Sequence, residues 1–278
     1  MVLSKWKPLL SLSLLILLWG VSLPLAGQQN VRTFPIFGEK HEKVTIVDSS
    51  LAGVVFYVVS GHGGPDPGAV AELNGHTLCE DEYAYDISLR LARRLLSHDA
   101  SVYLVVRDPD DGIRSQPYLE CDKDEVCWKE QTIPLGQIPR LDQRVIAINN
   151  LYSKRKPTAS RQIAVILHVD SRGTKERVDM FFYHDSRSKS GKKLALTMQR
   201  TIRAKYQKFQ KGRGYTGKVV ARDLHMLRET SPTAVYIELG NLRNPLDQKR
   251  FIVEKNRQAV ADWLAEGMIA YLETLKRS

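Results

Sequence analysis

Short runs of β-branched and aliphatic residues alternate along this chain with segments whose apolar residues recur at every fourth position. Residues 54–60 (VVFYVVS) carry no charge and suit a strand covered on both faces. Tyr83, Ile87, Leu91 and Leu95 then share one face of a helix predicted over 80–97. Residues 101–107 read as a second strand and 141–152 as a helix; 163–168 and 178–183 are strands. Leu194, Met198, Ile202 and Tyr206 mark a further helix, 234–238 the last strand, and 248–276 a closing helix. This alternation predicts one α/β domain, with a twisted, mostly parallel or mixed sheet flanked by helices on both faces. Residues 108–139 interrupt it with a Pro-, Gly- and Asp-rich excursion longer than an ordinary connection, hence functional or mobile.

The N-terminus follows a different pattern. Lys5 and Lys7 precede an apolar run over 9–18 and the small-residue stretch Pro24-Leu25-Ala26-Gly27. These are the three parts of a secretory signal peptide, assigned to 1–27; an uncleaved membrane anchor is the alternative. Residues 28–50, polar at first and Pro-containing, read as a linker, and 51–278 as the catalytic domain. The chain is therefore expected to be exported, to a periplasm or an extracellular cell wall. Export permits disulfides. Cys121 and Cys127, six positions apart in a polar loop, are expected to pair, with Cys79 left as a bystander; Cys79 bonded to one of them, or serving as an extra metal ligand, are the alternatives.

Charge narrows the partners. The formal net charge of +10 is spread along the chain, chiefly at 154–156, 189–193 and 203–213. Such a surface suits an anionic polymer, or is simply solvated helix. Nucleic acid is excluded, since the chain shows no recognition element for it. A monomer is the default.

The candidate chemistry sits where apolar runs stop. His62 follows the first strand inside Gly61-His62-Gly63-Gly64-Pro65-Asp66-Pro67-Gly68-Ala69; His168 ends the run 163–168; Glu238 ends the run 234–238. In open α/β sheets, sites gather at the carboxyl ends of strands. Glu80, at the predicted start of the first helix, adds a carboxylate. It also completes a capping box with Thr77, which would bind it to backbone instead. Two imidazoles and a carboxylate are a ligand set of catalytic zinc, which leaves one position for water. His41, His76, His98, His184 and His225 fit surface or packing roles.

The ordered set G-H-G-G-x-D-P-G-A, E, H-x-D, E-x-G resembles the zinc-dependent N-acetylmuramoyl-L-alanine amidases, from about Val54 to the C-terminus. The resemblance implies one Zn2+ held by His62, Glu80 and His168, with Glu82 and then Asp81 as substitutes for Glu80. It implies Glu238 as general base; the competing role is a buried Glu paired with Arg144 or Arg222. The implied reaction cuts the amide between N-acetylmuramic acid and L-alanine in peptidoglycan. Asp170 would orient His168, and Lys189, Lys192 and Lys193 would hold peptide carboxylates at the rim. The family often carries an aromatic residue where this chain has Asn241, which bears on substrate contacts. The chain's partners are then peptidoglycan, and an activating protein or anionic envelope polymer, with the 108–139 excursion as a cover the activator would move. A zinc peptidase on another envelope substrate and a non-catalytic wall-binding module are the alternative functions.

Overall fold

The run Val54–Ser60 is buried at every position because it lies between two other strands and two layers of helix. A computed structural model describes residues 30–276. The expected signal segment lies outside them. Strands β1 (Val31–Thr33) and β2 (Lys43–Thr45) form a small antiparallel pair, followed by β3 (Val54–Ser60) and the hairpin β4 (Val70–Leu73) and β5 (His76–Cys79). Helix α1 (Glu80–Ser97) leads to β6 (Ser101–Leu104), and three short strands follow: β7 (Val106–Arg107), β8 (Val126–Cys127) and β9 (Gln131–Thr132). Next come α2 (Gln137–Arg155), β10 (Arg161–Asp170), β11 (Phe181–His184), α3 (Lys189–Phe209), β12 (Val219–Ala221) and α4 (His225–Glu229). The described chain closes with β13 (Thr233–Asn241), α5 (Pro245–Ile252) and α6 (Glu254–Lys276).

Six strands form the main sheet in the order β12-β11-β13-β10-β3-β6. All neighbours are parallel except β11 and β13, so the sheet is mixed, as expected. Period-two alternation divides its side chains between two cores. Phe56, Val58, Val165 and Leu167 pack with residues of α1, α3 and α6. Tyr57, Val59, Ala164 and Ile166 pack with residues of α2 and α4 on the other face.

Several expectations change. The strand expected over 101–107 breaks at Val105, whose N–H still bonds Val58 in the sheet while its carbonyl accepts from Trp128 of the excursion. The linker expected over 28–50 is folded against the domain from residue 30. Phe37 and Val44 are buried with Tyr85, Leu89, Ala92 and Leu96 of α1, and Arg93 donates to the carbonyls of His41 and Lys43. A few apolar anchors suffice for this, too sparse for any period to mark.

The excursion is fastened rather than hinged. Arg257, fully buried, donates to the carbonyls of Arg114 and Gln116, and Arg90 to that of Arg114; both guanidiniums also hold Asp86. Tyr83 donates to the carbonyl of Pro117, and the Asp122 N–H donates to Glu82. The expected Cys121–Cys127 pair is absent: Cys121 bonds Cys79, with Cα atoms 5.8 Å apart, and Cys127 is free and buried. On β8, Cys127 packs among Val105, Val106 and Ile133, out of reach of the polar loop that carries Cys121.

Candidate metal centre

His62, Glu80 and His168 converge, each offering one ligand atom within 4.8 Å of the others. Glu80 is the first residue of α1, placed by the hairpin that ends at Cys79. Its Oε1 lies 2.9 Å from His168 Nδ1 and 3.4 Å from His62 Nε2. Tetrahedral zinc with bonds of ~2.0–2.1 Å separates its ligand atoms by about 3.3 Å, so the three fit such an ion. The capping-box role does not form: Thr77 donates to Glu72, while Glu80 accepts from the N–H groups of Ala69 and Val169.

Glycine makes room for this convergence. A Cβ on Gly61 would stand 2.2 Å from Cε1 of His168, and one on Gly68 would stand 2.7 Å from both Glu80 Oε2 and His62 Cδ2. His62 itself has φ 66°, the left-handed region that costs a non-glycine residue energy. Neighbours hold it there: Arg144 donates to its carbonyl, and Asp66 lies 2.8 Å from its Nδ1. Arg140 in turn donates to Asp66 at 2.5 Å. Asp66 is thus the carboxylate that orients the His62 imidazole. Asp170, expected to orient His168, bonds Arg172 instead at 2.5 Å. His168 is set by Glu80 and by stacking on Tyr236, with ring centroids 4.3 Å apart and planes at 13°.

The electrostatics follow from these contacts. Burial would lower the pKa of His62, but the Asp66 hydrogen bond and the Glu80 charge outweigh it and hold it above the ordinary value. Burial lowers His168 against the pull of Glu80. Burial alone would raise Glu80, yet the two imidazoles and the Val169 N–H leave it below the usual range.

Glu238 lies on β13, directly opposite His168 on the parallel neighbour β10, so their side chains share a face. Its Oε2 is buried without a hydrogen-bond partner although the residue as a whole is only half-buried. Burial, then the charges of Glu80 and Asp170, push this carboxyl well above the ordinary range. The structural role weighed for it is not what forms. Arg144 goes to His62, and Arg222 lies over the Tyr183 ring at 4.9 Å. Glu238 forms no ion pair among the described residues.

The lysines expected at the rim lie elsewhere. Lys189, Lys192 and Lys193 begin α3, where Ser190 contacts Thr233 and Gly191 packs on the Ala234 carbonyl. That is the start of β13, some five residues or roughly 17 Å along the strand from Glu238. Arg172 and Arg222 are the cations whose fields reach Glu238. Asn241 donates its side-chain amide to the carbonyls of Gly173 and Glu176, so it shapes the 171–177 loop beside β10. Reasoning from the sequence missed Asp66 and Tyr236. Asp66 stood in the quoted motif, four residues from His62; Tyr236 gave no signal within an apolar strand.

Residues 57–270 match the family described as N-acetylmuramoyl-L-alanine amidase. The chain belongs to that family. No match to the sequence was found among curated proteins. Among solved structures, the catalytic domain of CwlV from Bacillus (Paenibacillus) polymyxa var. colistinus is 24% identical, with TM-score 0.56, covering 79% of this chain and 98% of its own. CwlD from Clostridioides difficile, solved in complex with the GerS lipoprotein, is 20% identical, with TM-score 0.56 and coverage of 79% and 98%. Ami1 from Mycobacterium smegmatis is 18% identical, with TM-score 0.56 and coverage of 81% and 99%. These amidases share the fold. Membership of the family makes the protein an N-acetylmuramoyl-L-alanine amidase-type hydrolase acting on peptidoglycan, which lies outside the cytoplasm. No helix of the described residues is long and apolar enough to cross a membrane.

Proposed function

We propose that this amidase works as a single-zinc enzyme, with the ion held by His62, Glu80 and His168 and with Glu238 as general base. The observation that carries the reading is the convergence of the three donors beside a carboxylate whose Oε2 has no partner. Zinc, when bound there, supplies Lewis acidity that polarises the scissile carbonyl and acidifies a water. The chain's own residues do the rest. Glu238 takes the proton of the attacking water and returns it to the amine of L-alanine as the bond to the lactyl group breaks. A carboxyl raised by burial suits a group that must hold that proton between the two steps. Asp66 and Tyr236 keep the two imidazoles in place. Arg172 and Arg222 offer the positive charge nearest the base, where the stem peptide's carboxylates would dock.

Residues 1–27 act as the export signal in this reading, and the folded catalytic unit begins near residue 30. A protein partner of the kind that CwlD has in GerS is part of the proposal. It would not work by lifting the 108–139 excursion, given how that segment is fastened.

The test is mass spectrometry of purified peptidoglycan digested by residues 28–278, beside Glu238→Ala. Free stem peptides with N-terminal alanine are expected, falling by ~10²–10⁴-fold in the variant while bound zinc is retained. Full activity in the variant would remove Glu238 from the mechanism.

A further inference from the structure

Eight acidic residues of the first turn of α1 and of the excursion crowd beside the His62 centre without sharing its ligands. Asp81–Glu82–Glu125, Glu82–Asp108–Asp111, Asp108–Asp122–Glu125 and Asp108–Asp110–Asp124 each bring three oxygens within 4.8 Å of one another. Asp81, Glu82, Asp108 and Glu125 are only 0–4% exposed. Among the described residues Arg114 is the one cation paired with the set, through Glu82 and Asp111. Six carboxylates are then left against no positive charge that touches them.

Crowding of acids alone would not define a site, but two oxygens here point to a missing ligand. Asp108 uses Oδ1 to accept from the N–H groups of Asp110 and Asp111, and its Oδ2 is buried with no partner. Asp81 uses Oδ1 to accept from the Glu82 N–H, and its Oδ2 is likewise buried and unpartnered. Leaving a buried carboxylate oxygen unsatisfied is costly, and burying several like charges together costs more. The donors are all hard oxygens, with no imidazole or thiolate among them. Two oxygens that each bind one Ca2+ at 2.3–2.6 Å lie at most about 5.2 Å apart, a limit that every one of the four groups meets.

We propose that Asp81, Glu82, Asp108, Asp122 and Glu125 form a second metal site, for a hard divalent cation of the calcium class. Several anionic oxygens in an irregular arrangement favour Ca2+ over Mg2+, which demands near-ideal octahedral geometry and keeps its waters. Burial and the charges of Asp111 and Asp124 push Asp108 up to about 8, so without a cation the set relieves its repulsion by holding protons. The site's position gives the cation a role. Glu125 accepts from the Gly64 N–H at 2.6 Å, two residues from His62, and Asp81 follows Glu80 directly. A cation here clamps the excursion to both segments that supply the first two zinc ligands, beside the disulfide that already joins Cys121 to Cys79.

The experiment uses residues 28–278 stripped with chelator, reloaded with one equivalent of zinc, and titrated with Ca2+ in a calorimeter and in thermal melts. Ca2+ should bind with at least one equivalent beyond zinc and raise Tm, while a tenfold excess of Mg2+ should not displace it. Asp108→Asn should weaken Ca2+ binding by 100-fold or more and abolish the Tm shift, with zinc content unchanged. Asp124→Asn, an exposed change that spares the core, should weaken it by less and guards against a misfolded Asp108 variant. Absence of Ca2+ binding to the zinc-loaded wild type would overturn the proposal. So would unchanged Ca2+ affinity in Asp108→Asn, or a Ca2+-induced rise of Tm in Asp108→Asn as large as in the wild type. Zinc content is read separately in every sample, so failure of the second site is distinct from failure of the first.

Discussion

Three successive acids open α1 and face two different surroundings. Glu80 meets two imidazoles and two backbone N–H groups, and its charge is held below the usual range. Asp81 and Glu82, one and two residues on, meet other carboxylates, with Arg114 against Glu82 alone of the two. A helical turn separates the side chains by about 100° per residue, enough to send neighbours in sequence to opposite sides of one wall. The donor sets then differ in kind. Nitrogen and oxygen together suit zinc and water activation, whereas oxygen alone suits a hard ion with no reactive position. Burial, charge and even adjacency are common to both places; what distinguishes a chemical site from a structural one is the partner that each carboxylate finds.

Exchanging the acids one at a time tests this division most severely. Glu80→Gln should lower zinc affinity by more than the ~10–100-fold that follows loss of an outer hydrogen-bond partner, and activity should fall with it. Glu82→Gln should leave zinc in place. Metal analysis after dialysis reads both, and equal zinc loss in the two would dissolve the distinction. A smaller effect is expected from the bond between the two regions. Cys79→Ser with Cys121→Ser opens a loop of 42 residues and should cost about 3–4 kcal/mol in denaturant unfolding, without removing any ligand. An activity loss much larger than the loss of folded protein would show that the disulfide also sets Glu80. The smallest effect sharpens the boundary of the site: charge reversal at Lys189, Lys192 and Lys193 should change turnover of peptidoglycan less than twofold, since these residues stand at the far end of β13.

Much of this was legible in the chain. Val54–Ser60 and Glu80–Ser97 were readable to the residue, because an unbroken apolar run and a spacing of four leave little freedom. The same strand ends announced His62, His168 and Glu238. What escaped notice depends on tertiary partners. Whether Glu80 capped a helix or faced two histidines could not be settled locally, since either use puts it in the first turn. Cys79 and Cys121 are distant in sequence and close only once the excursion folds back, so the nearer cysteine looked the better partner. The acids at 108–125 read only as part of a functional or mobile excursion because single residues do not reveal burial; Arg257, 143 residues beyond Arg114, is part of what draws the segment inward.

That last contact has a bearing on how the molecule is made. Arg257 belongs to α6, which follows every other described element, yet it fills the space between Asp86 of α1 and the carbonyls of Arg114 and Gln116. During synthesis, the first helix and the excursion wait with these groups unmet until the end of the domain arrives. Contacts spanning that much chain form late and slowly. Cys121 should therefore find Cys79 only after α6 has been made and has packed, which makes closure of the disulfide a timestamp of completed folding.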